Sequence, residues 1–521
     1  MRAIFRSRFS VAAGLALSLH AYHASAQSGP ALKLQEATVA DVQSAMKDGK
    51  LTARQLVDFY LARIDAYDKK GPALNAVILI NPRAREIADE LDAKLKASGP
   101  IGPLHGVPVL LKDNTNTADM PTTGGSLSLE GYVPPEDATI VKKMKAAGAI
   151  IIAKTNLHEF AVWGETISSL GGQTRNPYDL TRTPGGSSGG TGAGLAANFG
   201  LVGIGTDTIN SIRSPASANS LVGIRPTVGL VSRTGIIPYS FVQDAAGPLA
   251  RTLTDAVKTL NVLVGYDAGD PATAWNVGHV EEDYTTFLKA DGLKGARIGI
   301  VETLFGKEPV HQDVNNVTRE AIRRMEEAGA TMVSIRDPML DTNKLVSGVS
   351  VHLYDLKPDL NSYLSDPKAN APVKSLEEII ASGKFSPNIG DEIRKSQGLD
   401  RDGAEYKDRL FKRAKLRDRV MQIMAENQLD ALVYPHQQRL VVPIGARQVE
   451  RNGILGSATG FPAITVPGGF SPPSESAPIG VPVGVELLGR PWDEATLIRL
   501  AYSFEQATKF RRPPESTPPI Q

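Results

Sequence analysis

The chain has no cysteine among its 521 residues, which excludes disulfides, thiolate nucleophiles and thiolate metal sites. Stability must come from packing, and an oxidising compartment poses no hazard to such a chain. Neither sign of charge is in excess: 57 Lys+Arg stand against 56 Asp+Glu, a formal net charge of +1. With no basic surplus, nucleic acid is not an expected partner. A membrane-spanning run is missing as well, since the apolar stretch at residues 9–19 falls well short of the ~20 residues that cross a bilayer. No internal repeat or solenoid period is visible.

That short apolar stretch follows Arg2, Arg6 and Arg8 and precedes the small-residue triplet Ala24-Ser25-Ala26. The order is that of a secretory signal peptide over residues 1–26, cut before Gln27, so a periplasmic or secreted protein is expected. Cleavage would remove the three arginines and leave 54 basic against 56 acidic residues, a net charge of −2.

Beyond it, residues 27–95 read as an N-terminal helical segment packed on a core. Thr52-Ala53-Arg54-Gln55 has capping-box form ahead of Leu56, Phe59, Tyr60 and Ile64 at helical spacing. A charged amphipathic helix follows over residues 82–97, with Asn81 as its N-cap. Strand-like runs at 107–111, 150–153, 201–204, 297–301, 431–434, 463–466 and 483–488 alternate with helical runs at 138–147, 314–328 and 493–508. Strands interleaved with helices predict an α/β fold built on a large mixed sheet. The catalytic domain is placed at residues 96–512, with a charged helical insertion or lid at 341–425 and a Pro-rich C-terminal tail at 513–521.

The centre is rich in glycine and serine: Gly185-Gly186-Ser187-Ser188-Gly189-Gly190-Thr191-Gly192. A flexible linker would lie between domains, whereas this segment lies between apolar elements. A nucleotide-phosphate loop would end in Gly-Lys-Ser/Thr, which is missing. Gly185-x-Ser187-x-Gly189 does match the nucleophile elbow of α/β-hydrolases, so an esterase with a Ser-His-Asp triad is one alternative. It needs a histidine base, and none of His105, His158, His279, His311, His352 or His436 is singled out by its setting.

Several separated motifs decide otherwise. Leu104-His105-Gly106-Val107-Pro108-Val109-Leu110-Leu111-Lys112-Asp113-Asn114, the Gly185–Gly190 loop, Gly205-Thr206-Asp207-Thr208 with Ser211-Ile212-Arg213-Ser214-Pro215-Ala216, and Gly223-Ile224-Arg225-Pro226-Thr227 together resemble the amidase-signature family. Gly460-Phe461-Pro462-Ala463 and residues 483–489 extend the likeness over most of the chain. Within the family it looks most like bacterial peptide amidases and aryl acylamidases.

The resemblance implies a hydrolase without metal or cofactor that cleaves a carboxamide C–N bond through an acyl-enzyme. Ser211 would be the nucleophile, Ser187, held by a cis peptide bond, the relay, and Lys112 the base. Backbone N–H groups of Thr208, Ile209, Asn210 and Ser211 would form the oxyanion hole. Gly185, Gly186, Ser188, Asp207 and Arg213 would support the loops. A serine hydroxyl needs such a base, and burial can lower a lysine enough to serve. Without the serine motifs, Lys112 would read first as a strand-end lysine in a surface salt bridge with a neighbour such as Asp113.

One departure stands out: the family commonly has two glycines before the nucleophile, and this chain has Ile209-Asn210. Asn210 is expected to keep the turn through a left-handed backbone, and Ile209 to narrow the pocket in favour of an apolar or aryl acyl group. The expected substrate is a peptide C-terminal amide or an aryl or acyl amide. An ammonia-supplying component of a transamidase would need cytoplasmic partners, which the leader argues against. A non-catalytic binding protein on the same scaffold is the remaining alternative, although it would not require all three of Lys112, Ser187 and Ser211.

Overall fold

The computed structural model describes Met1 and residues 33–520; the expected signal peptide lies outside the described residues. Among the described residues thirteen strands form: β1 Val77–Ile80, β2 Pro108–Lys112, β3 Ile150–Thr155, β4 Ile167–Ser168, β5 Gly172–Gln173, β6 Val202–Asp207, β7 Val222–Arg225, β8 Ala245–Ala250, β9 Arg297–Val301, β10 Thr331–Ile335, β11 Ala431–Pro435, β12 Ala463–Phe470 and β13 Pro482–Leu488. Eleven of them make one sheet in the order β1-β3-β2-β6-β8-β7-β12-β13-β11-β9-β10, and β4 and β5 form a separate hairpin.

The main sheet is mixed in a particular way. β3, β2 and β6 run parallel at one flank and β11, β9 and β10 at the other, while the strands between them pair antiparallel. Every residue of β2, β3, β6, β8 and β13 is buried. Successive strand side chains point to opposite faces, so these strands must be covered on both.

Helices supply that cover. α1 (Val39–Lys47), α2 (Ala53–Tyr67) and α3 (Ala84–Ser98) contribute Val42, Leu56, Tyr60, Ile64 and Leu91 to the same apolar cluster as the sheet residues Leu110, Ile152 and Ile204. Thr52 and Gln55 form the capping box of α2. Asn81 caps a turn rather than a helix: its Oδ1 accepts from Arg83 N at 2.9 Å, and α3 begins at Ala84. α4 (Thr139–Ala146), α5 (Gly189–Ala196), α6 (Arg213–Ala218), α7 (Leu253–Leu263) and α8 (Gln312–Glu327) follow. α5 packs on β2 and β6, and α6 on β7, β12 and β13.

Residues 341–425 carry α9 (Thr342–Gly348), α10 (His352–Ser365), α11 (Leu376–Ser382), α12 (Gly390–Gln397) and most of α13 (Ala404–Glu426). Leu356, Leu360, Leu376 and Ile393 from this stretch join Leu129, Phe160, Ile237 and Tyr239 in a separate cluster. α14 (Ile454–Thr459) and α15 (Glu494–Thr508) complete the set. The Pro-rich end lies along the body, where the buried Arg63 donates to Thr517 O at 2.8 Å and to Pro518 O at 3.0 Å. Among the described residues no helix is long and apolar enough to cross a membrane.

Candidate active site

β2 and β6 run parallel, and their C-terminal ends bring Lys112 and Asp207 to one rim of the sheet, where open α/β sheets hold their sites. Lys112 is fully buried and makes no ion pair among the described residues. Asp113, on the opposite side of the strand end, is paired instead with Lys154 at 3.0 Å. The surface-pair reading of Lys112 is thereby removed. Its Nζ lies 2.7 Å from Ser187 Oγ, 2.8 Å from Thr206 Oγ1 and 3.4 Å from Thr206 O. Burial pushes its ammonium pKa down to about 7, against the pull of Asp207 and Asp244.

The loop that carries Ser187 depends on two glycines. Gly185 has φ +69°, and a Cβ there would meet Ser214 at 2.8 Å; one on Gly186 would meet the Gly164 backbone at the same distance. The Gly186–Ser187 peptide bond is cis. Ser187 O accepts from His158 N at 3.0 Å. Ser188 ties this loop to its neighbours: its N–H donates to Ser211 O at 3.2 Å and its Oγ to Thr206 O at 3.2 Å.

Ser211 lies in the turn between β6 and α6. It is 4 % exposed, whereas Ser187 and Lys112 are at 0 %. Of the three, Ser211 alone reaches solvent. Among the described residues its hydroxyl has no hydrogen-bond partner, including Ser187. The N–H groups of Thr208, Ile209, Asn210 and Ser211 likewise make no hydrogen bond among the described residues. The next one, on Ile212, donates to Asp207 Oδ2 at 3.0 Å.

A buried charge network holds this turn. Arg213 pairs with Asp207 at 3.0 Å and with Glu486, and its Nη2 donates to Ile209 O at 2.8 Å and Gly453 O at 2.9 Å. Arg225 pairs with Asp207 at 2.9 Å, and Glu486 also accepts from Tyr434 and lies 2.6 Å from His436 Nδ1. Burial opposes the charge on Asp207, but Arg213 and Arg225 outweigh it and hold the carboxyl below the usual range. Arg225, Tyr434 and Glu486 escaped the sequence reading in this role because their partners are distant in the chain. Thr206 and Asn114, whose Nδ2 donates to Thr206 Oγ1 at 3.0 Å, were visible only as members of motifs.

The left-handed backbone expected at Asn210, beside Ile209, needs correction. Neither residue has positive φ, so the turn uses no left-handed backbone. The Ile209 side chain belongs to an apolar cluster with Leu304, Leu345, Ile454 and Leu455. It packs against that cluster and keeps 5 % of its surface exposed. The Asn210 carboxamide is buried without a partner at either atom.

The chain is similar to the native peptide amidase of Stenotrophomonas maltophilia, with a TM-score of 0.84 and 37% identity over 93% of this chain and 99% of that one. A probable amidase of Arabidopsis thaliana is 38% identical over 502 residues, 92% of each chain. A component of the glutamyl-tRNA(Gln) amidotransferase of Thermoanaerobacter pseudethanolicus is 32% identical over 93% of this chain and 99% of the relative. Fold and relatives together define a serine hydrolase of linear amide C–N bonds. More particularly, the chain belongs to the Amidase family, whose model matches residues 55–498.

Proposed function

We propose that Ser211, Ser187 and Lys112 perform the hydrolysis in relay. The observation that carries this reading is the 2.7 Å contact between Ser187 Oγ and the buried, unpaired Lys112 Nζ. A neutral amine has two hydrogens and one lone pair. Thr206 Oγ1 and Thr206 O accept the hydrogens, leaving the lone pair for the Ser187 hydroxyl.

In the reaction, Ser211 Oγ attacks the amide carbon and passes its proton to Ser187 Oγ, which gives its own to Lys112. The oxyanion is met by the free N–H groups of Thr208 to Ser211, each worth roughly 3 kcal/mol in comparable enzymes. On collapse the proton returns through Ser187 to the departing nitrogen, leaving an acyl ester on Ser211. Water repeats the sequence and releases the carboxylate.

A peptide C-terminal amide is the favoured substrate, supported by the likeness to a peptide amidase at 37% identity. Of the two grounds for an aryl or acyl amide, the periplasmic setting and Ile209, the second is weakened because Ile209 packs in the apolar cluster around Leu304 and Ile454. Ammonia release from N-acetyl-leucinamide, faster than aniline release from the matching anilide and abolished in Ser211→Ala, is the expected result. Turnover of esters alone would favour the esterase reading, and no turnover at all a binding protein. Export belongs to the same reading and rests on the N-terminal residue order; periplasmic protein should begin at Gln27, and a retained Met1 in cytoplasmic protein would contradict it.

A further inference from the structure

A cavity of about 490 Å³ opens between Trp163, Arg451 and residues of α9, α10, α12 and α13. Three links tie its lining to the loops of the candidate active site. Gly164, next to Trp163, packs its backbone against Gly186, and a Cβ on Gly164 would lie 3.5 Å from Arg451 Nη1. On the opposite wall, Gln243 Oε1 accepts from Ser350 Oγ at 3.1 Å while its Nε2 donates to Thr208 O at 3.0 Å. Finally, Arg451 lies two residues before Gly453, where a Cβ would meet Asn210 Cβ at 2.8 Å.

Most charges around this cavity are accounted for. Arg409 donates to Ser347 O and to Ser350 O, and pairs with Glu405 at 2.8 Å. Glu392 lies 3.8 Å from Arg447. Asp391 and Lys395 stand exposed at the rim. Burial drives the pKa of His352 down to about 3, so its ring is neutral. Arg451 is different. It is 5 % exposed, yet among the described residues its guanidinium makes neither a hydrogen bond nor an ion pair. It lies over the Trp163 ring, 4.6 Å from its Cζ to the centroid, and the carboxylates of Glu165 and Glu392 act on its charge from beyond ion-pair distance. A guanidinium withdrawn from water gains most from a planar anion that takes two of its N–H groups at once.

We propose that this cavity is a substrate subsite in which Arg451, backed by Trp163, binds a carboxylate on the acyl side of the scissile amide, so that the enzyme prefers amides of acids bearing a second, anionic group. The inference rests on the amide-hydrolysing site described above. It adds a substrate class to that reading.

N-acetyl-, N-succinyl- and N-glutaryl-leucinamide share one scissile amide and differ in whether, and how far away, they carry a carboxylate. In wild type, kcat/KM for the better of the two acidic amides should exceed that for the acetyl amide by at least tenfold. In Arg451→Gln the ratio should fall to about one, and in Arg451→Lys to an intermediate value. Calorimetric binding of the same three compounds to Ser211→Ala, with and without Arg451→Gln, gives a readout free of turnover and should follow the same order. Equal binding of all three to Ser211→Ala, or a preference that survives Arg451→Gln, would overturn the inference. Selective binding of the acidic amides with no wild-type hydrolysis of any of them would support the subsite and sink the hydrolytic relay instead.

Discussion

At the scale of single residues, the chemistry turns on the protonation of Lys112. Its ammonium form has no counter-ion within ion-pair reach among the described residues, and burial brings its pKa to about 7. The base is the neutral form, which gains population as pH rises. Thus kcat/KM for a neutral amide should increase through about pH 7 and level off above it. A rate already maximal at pH 5 would contradict a lysine base. Ile209 carries an opposite kind of expectation. Since its side chain belongs to the cluster around Leu304 and Ile454, Ile209→Ala should cost about 2–5 kcal/mol of stability in denaturant unfolding. It should leave the ratio of rates on aryl and aliphatic amides unchanged.

At the scale of elements, β6 and α6 are coupled across the nucleophile turn by Asp207 and Arg213, and β13 joins them through Glu486. All three side chains are fully buried, so removing one partner strands a charge. Arg213→Gln should lower stability by about 3–5 kcal/mol, measurable as a fall in the denaturant midpoint. A loss below about 1 kcal/mol would mean that the network is not the clamp on this turn.

The elements also differ in how far the chain reveals them. β9 is legible to its ends, because Arg297–Val301 is a short apolar run between turn residues. β8 is not: Ala245–Ala250 holds Gly247 and Pro248 and has the composition of a turn. It is a strand because β6 and β7 flank it, and because a Cβ at Gly247 would stand 2.2 Å from Ile224 O. Tertiary crowding overrides local preference there. In the same way Lys112, Ser187 and Ser211 are readable from motifs. The Arg213–Glu486–His436 links and the unpartnered Arg451 join residues far apart in the chain, and no local spacing announces them.

At the scale of the molecule, distant parts of the chain close on one another around α2. The fully buried Arg63 spans Ala197 O at 2.9 Å, Thr517 O and Pro518 O, and Arg511 pairs with Glu36 at 2.8 Å. Deleting residues 513–521 would leave two donors of a buried guanidinium without acceptors, at roughly 1–3 kcal/mol each. The shortened chain should therefore melt earlier than the full one, and an unchanged melting temperature would show that water replaces those carbonyls.

The proposed relay runs from Lys112 through Ser187 to Ser211, and of these three Ser211 alone has access to solvent. A fluorophosphonate probe reads that arrangement most directly, since it forms a covalent bond only with an activated serine. Peptide mass spectrometry should find the adduct on Ser211 in wild type and lose it in Ser211→Ala and Lys112→Ala. An adduct on another serine, or one on Ser211 that persists in Lys112→Ala, would contradict the relay.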